Sequence, residues 1–397
     1  MMIVIQKFGG TTVSSVSKRL LVAKRIKDTI DLGLSPIAVI SAIGRLGEPY
    51  STDSLLSLVR PNRIKARDLD LLMSVGEIIS CVLMVDTLAS IGVNAKPYTG
   101  GQAGIITDES YGKANILHVK PEPILECLKK GIVPVVAGFQ GITEHGQITT
   151  LGRGGSDTSA AILAKAVDAD RIEIYTDVDG IMTADPNIVK EARKLNELSY
   201  SELFEMADQG AKVIHPKAVS IAMSKQIPLI IKNIAGNDPG TLISNRKIEK
   251  QKKDLVTSIV HISGRCQVKA LYDNSDEKIG ILKELADKGI SLDIINVFPS
   301  HMVFTIEKQA KVQVEQILAS MATSFSVLDG LCKVSIIGEG MKGVPGVIYK
   351  AIKLLSEQGI EVLQTSDSHT TISCLIKEKE AERAVSILHQ GYCLLES

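Results

Sequence analysis

The apolar positions of this chain run in two different rhythms. From the N-terminus to about Ser244, short runs of aliphatic and β-branched residues alternate with longer stretches in which apolar residues return at helical spacing. The runs Ile3-Val4-Ile5, Ile37–Ser41, Val133–Ala137, Ile172–Thr176 and Leu229–Ile231 predict buried strands. Lys18–Leu32, Ala66–Ile91, Ser156–Ala166 and Tyr200–Asp208 predict helices. Such alternation gives an α/β domain with a largely parallel sheet, whose ligands bind beyond the carboxyl ends of the strands.

A basic stretch (Arg246, Lys247, Lys250, Lys252, Lys253) then marks a solvated linker at 245–254, after which the rhythm becomes a repeat. Cys266–Tyr272, Ser291–Phe298, His301–Glu307 and Phe325–Leu328 predict strands around the helices Glu277–Lys288 and Lys311–Met321. The second copy has strands at Lys333–Ile337, Glu361–Thr365 and His369–Ile376, one helix ending at Gly359-Ile360 and another at Glu380–His389. Leu285 and Leu355, Gly289 and Gly359, and Ile290 and Ile360 correspond at one fixed offset. Each copy reads as βαββαβ, a ferredoxin-like sandwich. The second copy ends in a stub, Cys393–Leu395, so the spare strand Leu255–Ile262 is expected to complete it and to interlace the two copies. The expected domains are residues 1–244, then 265–330, then 255–264 together with 331–397.

Composition narrows the function classes. A length of 397 residues exceeds one core, and 45 Lys+Arg balance 45 Asp+Glu, without the basic excess or stripe of a nucleic-acid binder. The six cysteines show no CxxC spacing, which reads as reduced, buried thiols in a cytoplasmic protein. The N-terminal apolar run is a strand's length and meets Lys7 at once, unlike a signal peptide, and no apolar run is expected to span a membrane. The seven histidines form no ligand pair at helical spacing, which argues against structural zinc.

Two loops carry the candidate chemistry. Lys7-Phe8-Gly9-Gly10-Thr11-Thr12 follows a strand, and Leu151-Gly152-Arg153-Gly154-Gly155-Ser156-Asp157 precedes a helix. Glycines at such turns expose backbone N–H groups to a phosphate, and a fixed ammonium stabilises a phosphoryl group in flight. Lys7 does not stand at the end of a glycine loop as the Walker pattern requires, and a Gly-Gly turn after a strand is also an ordinary turn. Arg153 offers a fork for a carboxylate. Ser156 reads equally as a helix N-cap, and Asp157 as a dipole-favouring acid or as a buried acid holding two cations. Thr176-Asp177-Val178-Asp179-Gly180 follows a strand with the wrong spacing for a calcium loop. Gly76, inside the helical pattern Ser74-Val75-Gly76-Glu77, costs helix stability and calls for a packing or functional reason. Lys212 alone reads as a surface lysine.

Taken together, these segments resemble the aspartokinases of the amino acid kinase family over essentially the whole chain. The likeness is carried by the two loops, Ser74–Glu77, Gly138-Phe139-Gln140-Gly141, Thr176–Gly180, Ala184-Asp185-Pro186, Gly210-Ala211-Lys212-Val213-Ile214-His215-Pro216 and Asn237-Asp238-Pro239-Gly240-Thr241. It implies a three-layer sandwich with a largely parallel sheet, followed by two interlaced ferredoxin-like ACT domains that bind a regulatory amino acid. It also implies a reaction: ATP, with Mg²⁺ carried mainly by its phosphates, phosphorylates the side-chain carboxylate of L-aspartate. By the same resemblance Lys7 would stabilise the transferring phosphoryl group beside Gly9 and Gly10. Lys212 would serve the nucleotide phosphates, and Asp157 would orient both lysines. Arg153 would clamp the substrate α-carboxylate and Glu77 would receive its α-ammonium, with Ser41, Thr52 and Ser156 as further substrate contacts. Thr176, Asp177 and Asp185 would line the nucleotide pocket. Some members carry an aromatic residue where Met182 stands and an arginine where Asn187 stands.

The insert Arg45-Leu46-Gly47-Glu48-Pro49-Tyr50 resembles Bacillus-type isozymes inhibited by diaminopimelate; lysine and threonine are the other effectors implied. The loops Asp273–Lys278 and Gly338–Pro345 are the candidate effector contacts, at a homodimer interface. Two other readings stand beside this one: another amino acid kinase, such as a glutamate 5-kinase or acetylglutamate kinase, and a non-catalytic amino-acid sensor.

Overall fold

The computed structural model describes residues 1–44, 47–60, 63–211, 213–245, 255–341, 344–392 and 394. The expected linker therefore lies, apart from Asn245, outside the described residues, as does Lys212. The chain divides into two compact units. One comprises Met1–Ile181, Lys194–Ala207 and Lys212–Glu249; the other comprises Met182–Arg193, Asp208–Ala211 and Lys250–Ser397.

In the first unit the described residues form an eight-stranded sheet. Its order is Glu197–Ser199, Thr241–Ser244, Leu229–Asn233, Arg171–Thr176, Ile3–Phe8, Ser35–Ile40, Val133–Ala137, Ala95–Tyr98. All neighbours run parallel except Leu229–Asn233 with Thr241–Ser244. The central strand Ile3–Phe8 has helices over both faces, so its sequence is a nearly continuous apolar run. Successive residues of a strand point to opposite faces. Phe8 enters the core formed with Val22, Ile26, Met84 and Leu88 of the helices Val16–Asp31 and Ala66–Ser90. Gln6, on that same face, donates to Thr29 Oγ1 at 2.8 Å. Lys7 therefore points the other way, toward the helix Gly155–Ala166.

A smaller sheet of Ile116–Val119, Ile105–Thr107, Gln140–Thr143 and Ile148–Thr150 lies in the same unit. The sequence did not predict it, because strands of three or four residues carry too little periodicity. The 25-residue helix Ala66–Ser90 corrects one expectation: it is long and apolar enough to cross a membrane. One side of it packs into the unit, where Asp70, Ser74, Gly76, Glu77 and Ser80 are all buried, while Leu71, Val75 and Val82 are exposed.

The second unit is a six-stranded antiparallel sheet in the order Ile295–Val297, His301–Glu307, Ser258–Leu271, Phe325–Ile337, Thr371–Lys377, Gln364–Asp367. Two predicted strand pairs are each one long strand here, Ser258–Leu271 and Phe325–Ile337, paired through register shifts between Ile262 and Gln267. Ser258–Ile262 pairs with Lys333–Ile337, while Arg265–Leu271 pairs with His301–Glu307. Two hydrophobic cores result, one around Phe304, Leu285 and Leu318, the other around Ile336, Leu355 and Leu388.

The segment Met182–Arg193 departs from the expected boundary at 244, since it belongs to this second unit. Ala184 and Val189 sit in its second core. Thr183 accepts from Ile259 N–H at 2.9 Å, and its hydroxyl lies 2.8 Å from Nε2 of the buried His389. Arg193 Nε donates to the Leu394 carbonyl at 3.1 Å. An apolar side chain packed in a foreign core gives no periodicity signal of its own.

Two substitutions test this packing by thermal unfolding. A Cβ at Gly76 would lie 2.6 Å from the Tyr50 carbonyl oxygen and 2.9 Å from Ala42 Cβ, so Gly76→Ala is expected to cost about 1–3 kcal/mol of stability by overpacking. Val189→Asp places a lone carboxylate in the second core and is expected to destabilise that unit by several kcal/mol, exposing it to limited proteolysis.

Candidate active site

A cleft of about 310 Å³ opens in the first unit, where the strands Ile3–Phe8 and Ser35–Ile40 end. Lys7, Gly10, Ser41, Thr52, Glu77, Arg153, Ser156 and Asp157 all line it. Lys7 comes from the penultimate position of the central strand, and its Nζ lies 2.7 Å from Asp157 Oδ1, with both side chains largely buried. Gly10 is where a glycine is required: a Cβ there would lie 2.4 Å from the Ala42 carbonyl oxygen. Its own carbonyl accepts from Gly44 N–H at 3.1 Å, so the two loops form one floor.

The arginine loop is shaped by Gly152 (φ 74°) and Gly154 (φ 69°), both left-handed. Gly154, not Ser156, is the N-cap of the helix that starts at Gly155. The capping account of Ser156 therefore fails, because the helix begins one residue earlier than predicted, and Ser156 faces the cleft instead. Asp157, in the first turn, accepts from His215 N–H at 3.2 Å through its second oxygen. His215 packs over Gly154 and caps the helix Pro216–Lys225, its Nδ1 accepting from Lys217 N–H at 3.3 Å. Burial lowers the His215 pKa, with Lys217 and Arg153 acting in the same direction against Asp157, and this favours the neutral ring that can accept.

Glu77 is 2 % exposed. One carboxyl oxygen accepts from Ala42 N–H at 3.3 Å, and the other has no hydrogen-bond partner. Burial pushes its pKa up to about 8, with backbone hydrogen bonds opposing. Arg153 forms no ion pair among the described residues, so a guanidinium and an incompletely paired carboxyl group line the same cleft.

Other predicted residues fall elsewhere. Gly9 is not among the cleft-lining residues, although a Cβ on it would lie 3.8 Å from Lys7 Nζ. Thr176 ends a neighbouring strand and Asp177 follows it; Thr176 donates to Asp177 Oδ1 at 3.2 Å, and Asn233 donates to Asp179 Oδ1 at 2.9 Å. Asp185 belongs to the second unit and accepts from both the backbone and side-chain amides of Asn187 at 2.9 Å. Met182 belongs to that unit as well. Sequence reasoning missed Ser51, Asp53 and Phe139, which line the cleft, and it gave His215 no role. Ser51 announces itself in the sequence only as a cap, accepting from Ser54 N–H at 3.2 Å.

The cleft thus offers two cations, a neutralisable buried carboxyl group and glycine-lined backbone, a set suited to an amino acid with an acidic side chain next to a phosphate. The model of the amino acid kinase family matches residues 2–233, and that of the ACT domain matches residues 326–390. The chain is 43 % identical to aspartokinase 1 of Bacillus subtilis (strain 168), over 99 % of each. It is 34 % identical to the solved aspartate kinase from Synechocystis, covering 99 % of this chain and 70 % of that one at a TM-score of 0.55. E. coli aspartokinase III, solved in complex with aspartate and ADP, shares the fold at a TM-score of 0.86 and 24 % identity, over 98 % of this chain and 99 % of that one. The chain belongs to the amino acid kinase family and, within it, to the aspartokinases, which are aspartate kinases carrying ACT domains.

Proposed function

We propose that this chain transfers the γ-phosphoryl group of ATP to the side-chain carboxylate of L-aspartate, giving 4-phospho-L-aspartate and ADP. The observation that carries the reading is the cleft itself: the Lys7–Asp157 pair at 2.7 Å shares one cavity with Arg153 and the half-satisfied Glu77. A carboxylate oxygen of aspartate attacks the γ-phosphorus while the bond to the β,γ-bridging oxygen breaks, and the electron pair leaves with ADP. The attacking group is ionised at neutral pH, so no general base is required. Catalysis is positioning and charge stabilisation. Lys7, fixed by Asp157, neutralises charge on the equatorial oxygens; Arg153 holds the α-carboxylate and Glu77 the α-ammonium; Ser41, Thr52 and Ser156 supply hydroxyls.

Thr176 and Asp177 contact the nucleotide in this reading, and Lys212 serves its phosphates. Mg²⁺ arrives on the phosphates of ATP in this reading. The ACT repeats make the enzyme subject to feedback inhibition by lysine, diaminopimelate or threonine, the end products of the route that 4-phospho-L-aspartate opens, which also leads to methionine. The loops 273–278 and 338–345 are the proposed effector contacts, at a homodimer interface; residues 342 and 343 lie outside the described set. Free, buried Cys81, Cys127, Cys266, Cys332 and Cys374 suit a cytoplasmic location.

Hydroxylamine trapping of the acyl phosphate, with aspartate, glutamate and acetylglutamate compared, tests the reaction. Aspartate-dependent hydroxamate supports it; folded protein that makes none favours the sensor reading. Lys7→Ala is expected to lower kcat by about 10²–10³-fold, the scale of losing one transition-state donor. A turnover equal to the parent enzyme's would refute that role.

Glu77 gives a pH signature. Its raised pKa leaves it mostly neutral in the free enzyme at pH 7, whereas the substrate ammonium selects the ionised form. Binding then releases a proton, so KM for aspartate should fall about tenfold per pH unit as pH rises toward 8 and level off above it. In Glu77→Gln that slope is expected to vanish while KM rises, read from initial rates across pH 6 to about 9.

A further inference from the structure

The helix that carries Glu77 buries a second carboxylate two turns earlier. Asp70 is fully buried. Its Oδ1 and Oδ2 lie 3.0 and 2.9 Å from Gly112 N, Oδ2 accepts from Thr150 N–H at 2.8 Å, and Oδ1 accepts from the Thr150 hydroxyl at 2.8 Å. The two N–H groups only donate and the Thr150 hydroxyl donates here, so a carboxylate, which accepts only, satisfies all three, whereas an amide NH₂ in place of Oδ1 would face the Gly112 N–H.

What Asp70 ties down is the root of the arginine loop. Thr150 ends the strand Ile148–Thr150 and is followed by Leu151, Gly152 and Arg153. Gly112 belongs to the turn that backs Gly152: a Cβ on Gly152 would lie 3.2 Å from the Gly112 carbonyl oxygen. Ala114 N–H closes the same corner onto the Thr150 carbonyl at 2.9 Å. Leu151 N–H donates to the Phe139 carbonyl at 2.9 Å. Beyond these anchors Arg153 stands between two left-handed glycines, which fold the loop but do not stiffen it. A fork that must meet a carboxylate in one orientation needs its backbone fixed in advance.

We propose that Asp70 is a positioning residue for substrate binding, holding the start of the arginine loop so that Arg153 meets the α-carboxylate of aspartate. The proposal rests on the reading of Arg153 given above. Asp70 touches neither substrate nor nucleotide in this assignment, and it separates affinity for aspartate from affinity for ATP.

The test compares Asp70→Asn, Thr150→Val and Thr150→Ser, the first two also in an Arg153→Gln background, with aspartate and ATP varied separately in the hydroxamate assay. Asp70→Asn should raise KM for aspartate about tenfold while KM for ATP stays within about twofold. Thr150→Val, which removes only the hydroxyl donor, should move KM in the same direction, and Thr150→Ser, which retains it, should stay near the parent value. In the Arg153→Gln background Asp70→Asn should add less than about twofold, because the clamp it positions is gone. Additive effects in that background, or an aspartate KM within about twofold of the parent in folded Asp70→Asn, overturn the proposal. If Asp70→Asn does not fold, Thr150→Val carries the same comparison. An aspartate KM unmoved by Arg153→Gln itself overturns the clamp, and with it this assignment, independently of any result at Asp70.

Discussion

The ion pair between Lys7 and Asp157 is the constraint on which the rest of the catalytic unit depends. It joins the central strand of the sheet to the first turn of the helix Gly155–Ala166 at 2.7 Å, with both side chains largely shielded from water. A lysine pointing out of a strand end otherwise samples many rotamers, and a mobile ammonium stabilises a transferring phosphoryl group poorly. The same carboxylate receives His215 N–H, so one aspartate joins the lysine, its own helix and the cap of the helix Pro216–Lys225. The glycine loops are arranged around this point. Gly10 lets the first loop close against the Ala42–Gly44 backbone, and Gly154 makes room for the His215 ring.

Two buried glutamates in this unit show how differently the fold treats one residue type. Burial pushes Glu173 up, but Lys232 at 3.3 Å, Gln6 at 3.0 Å and Arg171 at 2.9 Å together bring it below the ordinary carboxylate range. Glu173 is charged and satisfied by the protein alone. Glu77 has one amide and an orphan oxygen. The first is a charge satisfied within the fold; the second keeps one carboxyl oxygen without a hydrogen-bond partner.

Much of this was legible in the chain. Long apolar runs such as Ile3–Phe8 and Val133–Ala137 specify buried parallel strands because both faces need covering, and the glycine loops at their ends mark where a phosphate could approach. Lys7, Arg153, Asp157 and Glu77 were placed together by motif and meet in one cleft. What the chain did not disclose depends on partners remote in sequence. Ser156 looked like a cap because the left-handed Gly154 that replaces it is invisible in composition. Nothing in the chain singles out Asp70, because the N–H groups of Gly112 and Thr150 that converge on it come from 42 and 80 residues away. The short strands of the second sheet are specified by their neighbours rather than by their own sequence.

The strap Met182–Arg193 has a consequence for how the polypeptide is made. Thr183 and His389 are separated by 206 residues, and the core that receives Ala184 and Val189 is completed by residues near the C-terminus. At ribosomal rates of about 5–20 residues per second the strap waits on the order of ten to forty seconds before its partners have been synthesised. Throughout that interval Ala184, Ile188, Val189 and Ala192 lack the core that finally buries them, in a nascent chain whose central strands already exist. The second unit is thus finished only when the helix Ala381–Gly391 has been made, and the strap, although it is synthesised before the linker, is among the last segments to be packed.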